Sequence, residues 1–234
     1  GYTVMTLREP HGVTGHIIPW NYPMQIIGRS VVAALAMGNS AVLKPSEEAC
    51  LTALAFGQIA LDAGLPAGAL SILPGLGETT GAALAGHAAL DHLSFTGSSA
   101  VGALVQASAA RAPAPVTLEL GGKSPQIVFD DADLDAALPF LLSSGIQNAG
   151  QTCSAASRIL AQRGIYSQVV ERLALAYQGL RAGPAIEDLE LGPLVSARQK
   201  SIVAGFLERA SRDGLECAGR GEIVAHAPSG GHYC

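Results

Sequence analysis

Apolar positions come in short runs along the first half of the chain, and each run is followed by a longer stretch with helical spacing. GVTGHII (12–18) predicts a strand. Residues 24–37 predict a helix that stops at Gly38-Asn39, two residues that tolerate the left-handed turn ending a helix. SAVLKP (40–45) predicts a strand stopped by proline. Ser46 then caps a helix running to about Ala63, with Glu47 and Glu48 in its first turn, where the helix dipole favours acids. Gly64 and Pro66 end it. ALSILPG (69–75) predicts a strand, followed by a short helix near 78–86. DHLSFTG (91–97) predicts a strand, and residues 99–111 a helix. In PVTLELGG (115–122), Val116, Leu118 and Leu120 share one face of a strand, while Thr117 and Glu119 share the other.

This alternation predicts an α/β fold: a doubly wound, Rossmann-like parallel sheet, followed by part of a second α/β domain. In the second part, PQIVFD (125–130) and residues 158–163 predict strands. Asp133 caps a helix to about Asn148, and residues 165–181 and 194–212 are helical. GGK (121–123) marks the boundary between the two parts. Open parallel sheets bind ligands outside the carboxyl ends of their strands. That rule singles out Pro19–Asn21, Lys44–Glu47, Gly97–Ser98 and Glu119–Gly122.

Composition narrows the function. The 234 residues carry a formal net charge of −5, with 14% charged and 5% aromatic residues. A mildly acidic chain without a Lys/Arg run or a stacking surface argues against nucleic-acid binding. No unbroken apolar run is long enough for a membrane helix, and GYTVMTLREP does not read as a signal peptide. Cys50, Cys153, Cys217 and Cys234 are widely spaced, form no metal-binding pattern, and suit a reducing compartment, hence a cytoplasmic location. With 49% hydrophobic residues the chain can bury a large core. Beginning at glycine and ending on GGHYC, it reads as an internal piece of a longer protein.

The candidate chemistry has a bland alternative at each position. The dinucleotide fingerprint GxGxxG is missing: GLGETTG (75–81) has one residue too many, and GSSAVG (97–102) lacks the middle glycine. Both read as strand-to-helix turns, although Gly97 and Ser98 would also put a small backbone and a hydroxyl at a helix N-terminus, a workable anion site. Lys44 and Glu47 suit sugar hydroxyls, and a carboxylate there repels a 2′-phosphate. They equally suit a solvated strand edge and a helix-dipole acid. Glu119 suits a general base or a structural salt bridge. Asn21 suits an oxyanion donor or ordinary turn chemistry. Cys153, in NAGQTCSAASR (148–158), suits a nucleophile with room around its sulfur, its pKa lowered if a helix starts there, or a small buried hydrophobe. His16, His87 and His92 have no motif-like setting.

Together the pieces are far more specific. EPHGVTGHIIPWNYP (9–23), AVLKPSE (41–47), SFTGSSAVG (94–102), VTLELGGKSPQIVFDDADLDAA (116–137) and NAGQTCSAASR occur in this order. The chain strongly resembles the aldehyde dehydrogenase superfamily over nearly its whole length, through LGPLVS (191–196), with ELGGKSP and GQTCSA the most specific blocks. The resemblance implies an NAD(P)-dependent oxidation of an aldehyde to a carboxylic acid. It implies Cys153 as catalytic thiol, Glu119 as general base and Asn21 as oxyanion amide. It also implies Lys44 and Glu47 at the adenosine ribose, with Ser46 in the same motif. Gly97 and Ser98 fall at the pyrophosphate, and Pro19, Trp20 and Leu120 line the cofactor and catalytic pocket. No metal is implied.

The implied sequence is attack by the Cys153 thiolate, hydride transfer to the nicotinamide, and hydrolysis of the thioester by water activated through Glu119. Glu47 implies NAD as cofactor, with NADP possible. The resemblance further implies residues 1–9 as the end of an oligomerisation segment, 10–121 as an incomplete NAD-binding domain, and 122–234 as the first part of a catalytic domain. The parent would be a homodimer or homotetramer, and the 234-residue piece alone would be inactive. Two other functions compete: a CoA-acylating aldehyde dehydrogenase, and an inactive structural relative.

Overall fold

The computed structural model describes residues 1–112 and 114–234. The chain divides into two compact units, Gly1–Gly121 and Gly122–Cys234.

In the first unit the strands are β1 (Val13–Ile17), β2 (Ser40–Lys44), β3 (Leu70–Ile72), β4 (His92–Gly97) and β5 (Val116–Leu120). They form one sheet in the order β3-β2-β1-β4-β5, with parallel pairing throughout. Successive parallel strands need helical crossovers. These are α1 (23–36), α2 (Cys50–Asp62), α3 (77–85) and α4 (Ser99–Ala109). The strand order reverses between β1 and β4, and the carboxyl ends there are the natural ligand crevice.

Two apolar layers hold the sheet. Leu93 and Phe95 of β4 pack with Leu84, Ala85, Leu90, Val105 and Ala109, and Leu118 and Leu120 lie against them. Ala41 and Leu43 of β2 pack with Ile26, Ile27 and Val31 of α1 and Ala53 of α2. The alternation read in β5 therefore has a physical cause, since only one of its faces packs into an apolar layer. Parallel strands covered on both faces are normally apolar throughout. Here the other face of β1, β4 and β5 presents Thr14, His16, Ser94, Thr96, Thr117 and Glu119.

Most helix ends follow their caps. Ser46 Oγ accepts from the Glu48 N–H, and Ser98 Oγ from the Val101 N–H. Gly38 and Gly64 take φ of 81° and 91° at the ends of α1 and α2, where a side chain would be strained. The centre of α1 departs from the simple expectation: Ile27–Val32 is π-helical.

The second unit has β6 (Pro125–Val128) paired in parallel with β7 (Arg158–Ala161), and helices α5 (Leu134–Ile146), α6 (Tyr166–Gln178) and α7 (Ala197–Arg212). Val128, Leu134, Leu141, Ile165, Val169 and Leu173 form its core. Asp133 caps α5 as its side chain predicts, accepting from the Asp135 and Ala136 N–H groups. The helix stops at Ile146, earlier than its sequence suggests, because Asn148 and Ala149 turn left-handed with φ of 52° and 54°. α7 starts at Ala197, since Ser196 Oγ accepts from the Gln199 N–H and so caps it. A short parallel pair, β8 (Arg181–Ala182) with β9 (Glu222–Ile223), has no counterpart in the sequence pattern.

Candidate active site

The site residues of the first unit lie along one edge of the sheet. β1 and β2 run side by side to the pair Ile17 and Lys44, and the Ile18 N–H then donates to the Lys44 carbonyl at 3.1 Å. Pro19, Trp20 and Asn21 follow, each half-buried. Tyr22 takes φ 52° and starts α1 with Pro23 in its first turn. The turn reading of Asn21 thus holds for its backbone, and it places the amide beyond the carboxyl end of a central strand.

Lys44 is no solvated edge. It is 3% exposed, and its Nζ donates to Glu47 Oε2 at 3.2 Å. A buried ammonium needs a partner, and Glu47 supplies one three residues on. Ser46 is buried between them, its hydroxyl committed to the cap. The pair leaves an ammonium and a carboxylate together at a strand end, a donor and an acceptor suited to a ribose diol.

On the far side of β1, β4 ends at Gly97, and Ser98 caps α4. The first-turn N–H groups of any α-helix lack intrahelical acceptors, and an 11-residue helix presents them as an anion site. Gly97 has a packing cause as well: a Cβ there would stand 2.6 Å from the Phe95 ring. At Gly102 a Cβ would meet Leu120 at 2.6 Å, so this glycine lets α4 lie close on β5. Two of the three glycine tasks of a dinucleotide fingerprint are therefore met within GSSAVG, and the absent middle glycine costs nothing in helix packing.

On β5, Thr96 and Glu119 are register partners, as are Gly97 and Leu120. Leu120 packs into the apolar layer, whereas Glu119 faces the opposite, polar side. Arg29 Nη1 lies 3.9 Å from Glu119 Oε2, and Arg29 Nη2 donates to Thr96 Oγ1 at 3.3 Å. Both partners of the ion pair are about half exposed, so it adds little to stability. The pattern of α1 did not single out Arg29. The available clue was that it is the only charge in PMQIIGRSVVAALAM (23–37).

The same polar face holds His16, 3% exposed. The Thr14 hydroxyl donates its proton to the Ser40 carbonyl, so it accepts from His16 Nε2–H at 2.9 Å. This fixes the tautomer, and Nδ1 is left as a buried acceptor without a partner among the described residues. Burial, reinforced by nearby His92, pulls the His16 pKa down to about 4. His92 is lowered in the same way by burial and by His11.

Cys153 belongs to the second unit and is exposed, so the reading as a small buried hydrophobe does not apply. It sits in a turn closed by the Ala155 N–H on the Thr152 carbonyl at 3.2 Å. No helix starts at it. The preceding loop is shaped by three positive φ values in a row, at Asn148, Ala149 and Gly150. Amide side chains hold it: Asn148 Nδ2 donates to the Gln151 carbonyl, Gln151 Nε2 to the Asn148 carbonyl, and the Val195 N–H to Gln151 Oε1 at 2.9 Å. The polar neighbours of the cysteine are thus the scaffold of its loop. Among the described residues no cluster of His, Cys, Asp or Glu could hold a metal ion, and no helix is long and apolar enough to cross a membrane.

Comparison with known proteins identifies the family. The model of the aldehyde dehydrogenase family matches residues 1–234. Betaine aldehyde dehydrogenase of Beta vulgaris is 43% identical over 96% of this chain and 45% of its own length. Human retinal dehydrogenase 2 is 42% identical over 94% of this chain and 43% of its own. A Burkholderia cenocepacia crystal structure described as an aldehyde dehydrogenase superposes with a TM-score of 0.96 at 60% identity, covering 97% of this chain and 48% of its own. The chain spans about half the length of the relatives it matches. It belongs to the aldehyde dehydrogenase family.

Proposed function

We propose that this chain carries cofactor-binding and catalytic residues of an NAD-dependent enzyme that oxidises an aldehyde to a carboxylic acid. One observation carries the reading: Asn21, Lys44, Glu47, Gly97, Ser98 and Glu119 gather on the carboxyl edge of one parallel sheet, with the buried Lys44 ammonium paired to the half-exposed Glu47 carboxylate. The donor set fits a dinucleotide. Lys44 and Glu47 would hold the adenosine ribose, Gly97 and Ser98 at the α4 N-terminus the pyrophosphate, and Pro19, Trp20 and Leu120 would line the cofactor's path. The structure of the Staphylococcus aureus betaine aldehyde dehydrogenase, 36% identical to this chain, is a complex with NAD+. When bound, NAD supplies the hydride acceptor.

The remaining chemistry falls to the chain's own residues. The Cys153 thiolate attacks the aldehyde carbon. The Asn21 amide and the Cys153 N–H donate to the oxyanion that forms. Once the carbon is oxidised, it is held as a thioester on Cys153. Glu119 takes a proton from water, the water oxygen bonds to the acyl carbon, and the sulfur leaves. A carboxylate at this place favours water over CoA as acceptor, and Glu47 favours NAD over NADP. The chain is read as part of a cytoplasmic, oligomeric enzyme, with residues 1–9 leading from the oligomerisation segment.

The test uses the full-length protein that carries this chain, with NADH absorbance followed after rapid mixing with a panel of aldehydes. Glu119→Gln should keep the first turnover and lower the steady rate about 100-fold or more. A steady rate equal to the parent's would remove Glu119 from the reaction. Acyl-CoA formed on adding CoA would replace hydrolysis with acyl transfer.

A further inference from the structure

The proposed general base has a cation beside it that the mechanism above does not use. Arg29 projects from the middle of the π-helical stretch of α1, and Ile27 and Val31, two residues to either side, are fully buried against the sheet. Those anchors fix where the arginine leaves the helix. Its guanidinium then touches two register partners at once, donating to Thr96 Oγ1 on β4 at 3.3 Å and standing 3.9 Å from Glu119 Oε2 on β5. Thr96 is 6% exposed, so this contact is made on the rigid sheet rather than at its rim. Arg29 and Glu119 both line a groove of about 610 Å³ on the polar face, together with Arg8, Glu9, His16 and His92.

An exposed pair at this distance contributes little to folding, and a charge amid PMQIIGRSVVAALAM serves no packing purpose. What the geometry does is restrict a flexible carboxylate. We infer that Arg29 is a positioning residue: anchored on Thr96, it holds the Glu119 carboxylate in place for the water that cleaves the acyl-enzyme. A planar guanidinium suits the task, because it can donate to a hydroxyl and a carboxylate from one plane. The inference rests on Glu119 being the base.

The experiment separates the two ideas, using the full-length protein and the same rapid-mixing assay. Glu119→Gln tests the base alone. If its steady rate collapses and its first turnover survives, the base stands. Arg29→Ala is then expected to lower kcat about tenfold, with kcat/KM for the aldehyde changed by less than about twofold, because the steps up to the thioester precede the use of Glu119. Arg29→Lys should recover most of kcat, and Thr96→Val should show the same pattern at smaller size. An unchanged kcat in both Arg29→Ala and Thr96→Val overturns the inference. So does a loss of kcat/KM confined to anionic aldehydes, which would make Arg29 a substrate-binding group. Should Arg29→Ala fail to fold, the Lys and Val variants decide by the same kcat against kcat/KM criterion.

Discussion

The two units present chemistry in different ways. The first sets its polar side chains on strand ends and helix starts, each fixed by sheet register: Lys44 beside Ile17, Glu119 beside Thr96, Leu120 beside Gly97. The second sets its thiol on an exposed turn, behind a loop bent by left-handed residues and held by amide side chains. Groups that recognise or move protons gain from a rigid frame, where small misplacement is costly. A nucleophile needs open space around one atom, which a turn of small residues supplies and a strand does not.

The most severe way to break this contrast is to remove the thiol. Cys153→Ala is expected to lower aldehyde oxidation at least about 10³-fold while leaving the first unit and its NAD affinity intact. Measuring NADH formation beside NAD titration checks both halves. Retained turnover would shift the chemistry away from the turn altogether.

Next in size is the acid sensitivity built into the first unit's polar face. In the folded state His16 titrates at about 4 against 6.5 when unfolded. The unfolded chain therefore binds the extra proton between these values. The stability associated with a neutral His16 is present above pH 6.5 and is lost as pH falls toward 4. The full difference is about 3 kcal/mol. His92, shifted in the same direction, adds to the slope. Trp20, the only tryptophan among these 234 residues, lies in this unit, so its fluorescence during urea unfolding of this chain reports the change. His16→Leu should flatten the dependence, and an equal slope in the variant would assign it to other groups.

Much of this was legible in the sequence. The strands of the first sheet were, because an apolar run ended by glycine or proline leaves little choice, and so were the capping residues Ser46, Ser98 and Asp133. The strand-end rule singles out Lys44, Glu47 and Glu119 from the sequence alone. It could not show that Lys44 is buried, because burial depends on strands distant in sequence. Arg29 escaped for the same reason: its partners lie 67 and 90 residues away, on β4 and β5. The early end of α5 hid in Asn148 and Ala149, whose left-handed backbone is imposed by the loop around Gln151. The two-residue strands β8 and β9 carry no periodicity to read.

A smaller effect is expected at the proposed cofactor site of the first unit. Glu47→Gln removes the charge that opposes a 2′-phosphate while keeping an acceptor for Lys44. The preference for NAD over NADP should narrow about tenfold, seen as a ratio of kcat/KM values. An unchanged ratio would place cofactor choice elsewhere.

The smallest effect probes the loop of the second unit. Gln151→Ala takes the side-chain acceptor from the Val195 N–H and the side-chain donor from the Asn148 carbonyl. A lost hydrogen bond of this kind costs about 1 kcal/mol. The loop is a locally cooperative element, so the cost falls first on local opening, which should become about fivefold more frequent. Alkylation of Cys153 under native conditions, located by peptide mapping among the four cysteines, should then change in rate while the urea transition seen by Trp20 stays in place. If Cys153 labels as in the parent, the amide bonds do not hold the turn. The rigidity of the thiol's setting would then come from the left-handed backbone alone, and Gly150→Ala, strained at φ 76°, becomes the variant that moves it.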